Sequence, residues 1–153
     1  MKKFKFRLES VRIDRKRVED LRLREWSIVN RMLADLIKEK EHIESRITKA
    51  FDEMTTAKST PRLSAGIISE LESFIQGLKI RLDWKKNEIA RAEKFVERKR
   101  IEWLGARQKR MILDKMKEKK VAEHKEAVRL KENNDLNDLY LMRARLNLVK
   151  DEI

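Results

Sequence analysis

Apolar residues recur every seven positions in the second half of the chain. One row consists of Ile68, Ile75, Leu82, Ile89, Val96 and Trp103. A companion row three residues further on consists of Leu71, Leu78, Ala92, Ala106 and Leu113. Lys85 and Lys99 are the two exceptions in this companion row. A repeat sustained over about five heptads keeps one stripe facing a partner helix, so it predicts a coiled-coil seam.

A weaker seven-residue repeat of apolar residues lies in the first half of the chain. Val29, Leu36, Ile43 and Ala50 recur every seven residues, and a second row is interrupted at Lys40. The members of that second row are Leu33, Ile47 and Met54. Nearer the N-terminus the apolar positions are displaced by about one residue: Leu8, Val11, Val18, Leu21, Ile28 and Met32. Such a displacement is typical of a stutter in a coiled coil.

One strong break separates the two patterns. Residues 55–66 contain Pro61, Gly66 and five Ser or Thr residues, which are typical of a turn between helices. The sequence therefore predicts a single all-α domain, an antiparallel coiled-coil hairpin. Its helices cover about 6–54 and about 63–152, with a turn at 55–62. Seam residues on helix one include Val29, Leu36, Ile43 and Ile47.

The predicted helices differ in length, about 75 Å against about 135 Å at 1.5 Å per residue. Residues 113–153 should therefore overhang the end of helix one. The overhang retains an apolar stripe, made of Val121, Val128, Leu139, Met142, Leu146, Val149 and Ile153. An apolar stripe without an internal partner predicts a partner on another chain, and a frayed tail is the alternative.

Composition narrows the function classes. Charged residues make up 43% of the 153 residues, and the chain has three glycines, one proline and no cysteine. It has no phosphate-binding glycine motif, and His42 and His124 lie on different predicted helices. Because a two-helix seam also has no cleft to perturb a carboxylate, we expect no enzyme, metal site, cofactor or small-molecule substrate. Without an apolar leader or a membrane-length apolar run, we expect a cytoplasmic protein.

The net charge of +12 attracts nucleic acid, anionic membranes and acidic proteins. Residues 94–120 hold eleven basic and four acidic residues, a local charge of +7. Six candidate phosphate contacts are Lys109, Arg110, Lys115, Lys117, Lys119 and Lys120. They are spread around the helix with acidic residues among them, so a solvated coiled-coil face is the favoured interpretation.

Two features off the seam leave alternatives open. Five aromatic residues lie beside or outside it: Trp26, Phe51, Phe74, Trp84 and Phe95. They either cover the seam as a shoulder or anchor an interface. Gly77 and Gly105 lie inside the second helix, where they indicate tolerated flexibility or close packing.

The chain opens with Phe4, Phe6, Arg7 and Leu8, followed by Val11, Arg12 and Arg15. This opening resembles the FliJ family of the flagellar type III export apparatus, whose members tend to begin M-x-x-F-x-F-R-L followed by an apolar residue and basic positions. The order of helices also matches. Near the C-terminus Glu132 and Leu136 agree with the family's E-Q-K-x-L-D-E pattern, while Asn133, Asn134 and Asn137 depart from it.

The resemblance implies a non-enzymatic stalk, similar to the γ subunit of rotary ATP synthases. Such a protein docks in the export ATPase hexamer, promotes its assembly and activity, links it to the membrane export gate, and is connected with export chaperones. It would be cytoplasmic and peripherally attached to the inner-membrane apparatus. The alternatives are an injectisome stalk protein, or a basic coiled coil that binds nucleic acid or a membrane surface.

We assign two contact sets by the resemblance. The ATPase-facing set is Phe4, Phe6, Arg7, Leu8, Leu136, Leu139, Met142 and Arg143. The gate-facing set is Ile67, Phe74 and Leu78, of which Leu78 also belongs to the seam.

Overall fold

Two long α-helices make up nearly all of the described protein. The computed structural model describes residues 4–59 and 65–151, with side chains for 4–59 and 65–145. Helix α1 is Glu9–Ser59 and helix α2 is Ala65–Asp151. No strand occurs within the described ranges. The all-α prediction with a longer second helix is confirmed.

The helix boundaries differ from those predicted at both ends of α1. The helix begins at Glu9 instead of about residue 6, because the Glu9 amide donates to the Phe6 carbonyl (3.1 Å) and closes a turn there. At the other end, Thr55 and Ser59 are helical, so the predicted turn at 55 starts too early. Their hydroxyls donate to the carbonyls four residues earlier, and Ala57 is buried. The rest of the predicted turn, including Pro61, lies outside the described residues, as does residue 152.

The chain's internal contacts divide it into two units. Unit one combines the residues up to Arg17 with those from Arg107 onward, and unit two is Val18–Ala106. Unit two is a helical hairpin with antiparallel helices, because partners on α2 fall in number as those on α1 rise. Arg22 reaches Glu102, whereas Glu39 reaches Lys85.

The hairpin seam of unit two follows the heptad rows. The buried apolar residues of this seam are Ala50, Ala57, Ile75, Leu78, Ile89 and Ala106. The remaining predicted seam residues are half-buried: Val29, Leu36, Ile43, Ile47, Ile68, Leu71, Leu82, Val96 and Trp103. Two helices cannot enclose a wide core, so most seam side chains keep one edge in water.

The two lysines that interrupt the companion row of α2, Lys85 and Lys99, are held by carboxylates from both helices. Lys85 Nζ lies 2.7 Å from Glu39 Oε2 on α1 and 2.8 Å from Glu88 Oε2 on α2. Lys99 Nζ lies 3.3 Å from Glu25 Oε2 and 3.0 Å from Glu102 Oε2. The hydrogen bonds to Glu39 and then Glu88 raise the pKa of Lys85. Each lysine thus replaces an apolar contact with an ionic link across the hairpin.

The predicted stutter is wrong. The seam of α1 continues without displacement through Arg22, Trp26 and Val29, all of which are half-buried. Of the row predicted to carry the displaced seam, Leu8 and Val18 are half-buried, whereas Leu21, Ile28 and Met32 are 53–60% exposed. The stacked indoles of Trp26 and Trp103 and the ion pairs of Arg22 and Glu25 fix the inward face. The apolar pattern alone predicts the wrong inward face for α1, because Arg22 and Glu25 form ion pairs across the hairpin.

Unit one is also antiparallel. Arg12 Nη1 lies 3.2 Å from Asp114 Oδ1, and Lys117 Nζ lies 2.9 Å from Glu9 Oε2. Phe4 extends the pairing to His124, since their ring centroids are 5.5 Å apart. The predicted overhang at 113–153 therefore starts too early, because residues 4–8 continue along α2 ahead of helix α1. From residue 129 to 145 every side chain is exposed.

Candidate interaction surfaces

The N-terminal segment lies against α2 in unit one. Phe4, Phe6 and Leu8 are half-buried, whereas Arg7 is exposed between them. Residues 4–6 form no regular secondary structure and residues 7–8 form a turn, and exposure alternates along this segment. The phenyl ring of Phe4 meets the His124 imidazole at an interplanar angle of 43°. Three of the eight residues in the predicted ATPase-facing set therefore pack within this chain.

An ionic cluster fixes the segment next to this packing. Glu9 accepts hydrogen bonds from Arg12 (2.7 Å) and faces Lys117. These side-chain hydrogen bonds, from Arg12 first and Lys117 second, lower the pKa of Glu9 to about 2. Asp114 accepts from Arg12 and from Arg110 on its own helix. The cluster joins the start of α1 to the middle of α2.

The other half of the ATPase-facing set lies further along α2. Leu136, Leu139, Met142 and Arg143 are all exposed. Leu136 is twelve residues beyond His124, which is roughly 18 Å along an α-helix. The structure therefore does not bring the two halves of this set together. Exposed apolar neighbours that were not predicted are Leu130, Tyr140 and Leu141. The predicted stripe residues Leu146 and Val149 lie beyond the described side chains, and Ile153 lies outside the described residues.

The gate-facing set divides differently. Ile67 and Phe74 are exposed on one row of α2, and the Arg46 guanidinium carbon lies 5.4 Å from the Phe74 ring centroid. Leu78 is only 3% exposed, because it points into the seam of unit two. Leu78 therefore does not belong to an accessible surface, which corrects its assignment. A pair similar to Arg46 and Phe74 lies nearby, where Lys79 Nζ is 5.4 Å from the Phe51 ring centroid.

Sequence reasoning missed a groove beside Trp84, which at 73% is the most exposed of the large apolar residues described. The groove is lined by Trp84 together with Lys38, Glu39, His42, Ile43, Arg46, Arg81, Lys85 and Glu88. The sequence shows only that Trp84 lies off both heptad rows. The groove residues contributed by α1 follow from the antiparallel register of α1 and α2.

Neither a metal-binding cluster nor a membrane-spanning helix occurs among the described residues. No group of three or more His, Cys, Asp or Glu side chains among them is placed to hold a metal ion. The described carboxylates whose pKa is lowered, such as Glu9, Glu25 and Glu97, owe the shift first to hydrogen bonds from arginine side chains or, for Glu123, from Lys120. No described helix is long and apolar enough to cross a membrane.

The basic stretch is partly neutralised within the chain. Of the six candidate phosphate contacts, Arg110 pairs with Asp114, Lys117 with Glu9 and Lys120 with Glu123. Ion pairs of this kind compete with phosphate for the same cations. Lys109, Lys115 and Lys119 form no ion pair with a described residue, and all three are exposed.

Comparison with known families gives one match. A family model described as "Flagellar FliJ protein" matches residues 4–148. The match spans nearly the whole chain, including the N-terminal segment, both helices and the exposed stretch of α2. No curated protein and no solved structure matches significantly.

Proposed function

Because this chain belongs to the FliJ family, we propose that it is a non-enzymatic stalk protein of the flagellar export apparatus. Family membership implies a component of that apparatus. The finer proposal is that the chain docks in the export ATPase hexamer, promotes assembly and activity of the hexamer, and links it to the membrane export gate. It would act in the cytoplasm, peripherally attached to the inner membrane, and would also meet export chaperones.

The observation that carries the proposal is the exposed helical stretch from residue 129 to 145 in unit one. Leu136, Leu139 and Met142 are each more than half exposed there. Isolated exposed apolar residues are ordinary, but several on one unpaired helix mark an interaction site. A ring-shaped hexamer offers a central opening in which this face of the helix would be covered. Arg143 lies beside them and would meet acidic groups of the opening.

The N-terminal segment has a supporting role in this proposal. Phe4, Phe6 and Leu8 pack on α2, and the Glu9 cluster holds them there. Of the predicted ATPase-facing residues in this segment, only Arg7 is exposed, so it alone would face the ATPase directly. In this proposal the packed residues brace α2 next to the exposed stretch, and the exposed stretch contacts the ATPase directly.

The gate contact belongs to unit two in this proposal. Ile67 and Phe74 lie on one exposed row of α2, and Arg46 of α1 covers one side of the phenyl ring. An aromatic residue flanked by a cation is a common interface anchor. Because Phe74 is 44% exposed, its replacement by Ala should weaken binding to the gate component while helicity remains.

A pair of matched variants tests the ATPase contact. Leu139→Asp places a charge in the stripe, and Leu141→Asp places one about 160° away around the same helix. The two leucines are 57% and 63% exposed, so both variants should fold. We expect Leu139→Asp to reduce stimulation of the export ATPase at least about tenfold, a loss of about 1.4 kcal/mol, while Leu141→Asp changes it little. Equal effects of both, or of neither, would contradict this docking face.

A further inference from the structure

An apolar stripe on the outward side of α1 has no partner among the described residues. It consists of Leu21, Ile28 and Met32, which are 53%, 57% and 60% exposed. At about 100° per residue the three side chains fall within roughly 40° of one another around the helix. Their spacing of seven and then four residues is that of a coiled-coil seam. All three belong to unit two.

The outward stripe of α1 is more apolar than the face that α1 turns toward α2. Over the same turns, α1 directs Arg22, Glu25 and Trp26 toward α2 and leaves the more apolar row in water. Glu25 lies between Leu21 and Ile28 in sequence, but its carboxylate accepts from Arg22 (2.9 Å) and Lys99 (3.3 Å). The Glu25 carboxylate is therefore occupied by partners at the seam.

A row of cations runs along the stripe. Arg24, Arg31 and Lys38 are spaced by seven residues and lie about 60–100° from Leu21 around the helix. All three are exposed, and none forms an ion pair with a described residue. Other cations of unit two, such as Lys85, Lys99 and Arg100, do have carboxylate partners. The row is distinguished by its seven-residue spacing along the stripe.

We propose that this stripe, Leu21, Ile28 and Met32 with its cation row, binds an acidic amphipathic helix of a partner protein as a third helix. In coiled coils the charges that flank the apolar seam set the choice of partner. A cation every seventh residue therefore selects a helix with a carboxylate every seventh residue. Asp35 follows Met32 on the same side, so the apolar contact covers about three turns and ends there.

Two other occupants fit the surface less well. A second copy of the chain would bring the same row of three cations to the contact, which repels. An anionic membrane favours helices with a broad apolar face, whereas this stripe is only roughly 40° wide. The stripe lies outside both contact sets of the proposed function, so the inference does not depend on that function.

Synthetic helices serve as the probe. One peptide of about four heptads carries Leu and Ile at its seam positions and Glu at its flanking positions, and a second carries Lys in place of Glu. Like charges at the flanks also keep each peptide monomeric. Binding to the full-length chain is followed by fluorescence anisotropy. We expect the Glu peptide to bind at least about tenfold more tightly than the Lys peptide, with the advantage decreasing at high salt.

Substitutions locate the site and keep the test independent of folding. Ile28→Asp should weaken the Glu peptide at least about tenfold, whereas Ile101→Asp, at a 59% exposed position of α2, should not. Exchanging Arg24 and Arg31 for Glu should reverse the preference toward the Lys peptide, a gain that misfolding cannot produce. Equal binding of both peptides, an unaffected Ile28→Asp variant, self-association through this row, or binding only to vesicles with anionic lipid would overturn the proposal.

Discussion

The indole rings of Trp26 and Trp103 stack face to face across the hairpin of unit two. Their centroids are 5.2 Å apart and the ring planes differ by 1°. The Trp26 indole N–H is buried and donates to no described protein atom, so the pair interacts through its faces. A shift of one heptad between the helices would separate the rings by about 10 Å. The stacked pair therefore fixes the register of α1 against α2.

Replacing Trp26 by Ala should destabilise the hairpin by about 2–3 kcal/mol, less than a fully buried tryptophan because the ring is half-exposed. Urea unfolding followed by far-UV circular dichroism measures this change. Trp84→Ala is the control, since its ring is 73% exposed and should change stability by less than about 0.5 kcal/mol. Equal losses in both variants would show that the stacking has no special role.

Because of Glu9, the stability of unit one should decrease at acid pH. Its pKa is about 2 in the folded chain, against an ordinary value of 4.5, because Arg12 and Lys117 donate hydrogen bonds to the carboxylate. The stabilisation is fully present above about pH 4.5 and is lost as the pH falls toward 2. We expect Glu9→Gln to lower Tm at pH 7, and this deficit to shrink below pH 4.5. A deficit that stays constant with pH would contradict the ionic role.

Gly77→Ala should stabilise the protein by up to about 1 kcal/mol, because alanine is the better helix former. A Cβ atom built at Gly77 or Gly105 would meet nothing within 4 Å, so close packing does not explain either glycine. Chemical unfolding of Gly77→Ala and Gly105→Ala tests this expectation. A loss of stability in both variants would contradict it.

The lysines in the seam give a further prediction. Lys85→Leu fills a heptad position with an apolar side chain and leaves Glu39 and Glu88 exposed, so no buried charge loses its partner. Replacing a partly buried ion pair by a packed apolar group is commonly neutral or stabilising. We therefore expect an unchanged or higher Tm by differential scanning calorimetry. Lys85→Glu, which puts three carboxylates together, should lower it.

Salt separates the proposed function from nucleic-acid binding. If Lys109, Lys115, Lys119 and their neighbours held phosphates, affinity for DNA or RNA would fall by orders of magnitude between about 50 and 200 mM salt. Binding of the export ATPase through Leu136, Leu139 and Met142 should change much less, because apolar contacts are not screened. Filter binding and ATPase titrations at both salt concentrations provide the comparison.

The heptad rows of α2 were sufficient to predict the hairpin, because residues such as Ile75 and Ile89 repeat without displacement. The same reasoning failed on α1 at Leu21 and Ile28. There the inward face is set by long-range partners, Glu102 for Arg22 and Trp103 for Trp26, which no local pattern reveals. The packing of Phe4 on His124 was equally hidden, since residues 4–8 precede the helix and carry no periodicity.

Purified protein mixed with the export ATPase of the same organism tests the central claim most directly. Hexamer formation and ATP turnover are measured together as the chain is titrated. The stalk account predicts that both rise, and that Leu139→Asp lowers both while Leu141→Asp does not. No change in either at concentrations well above micromolar would contradict the account.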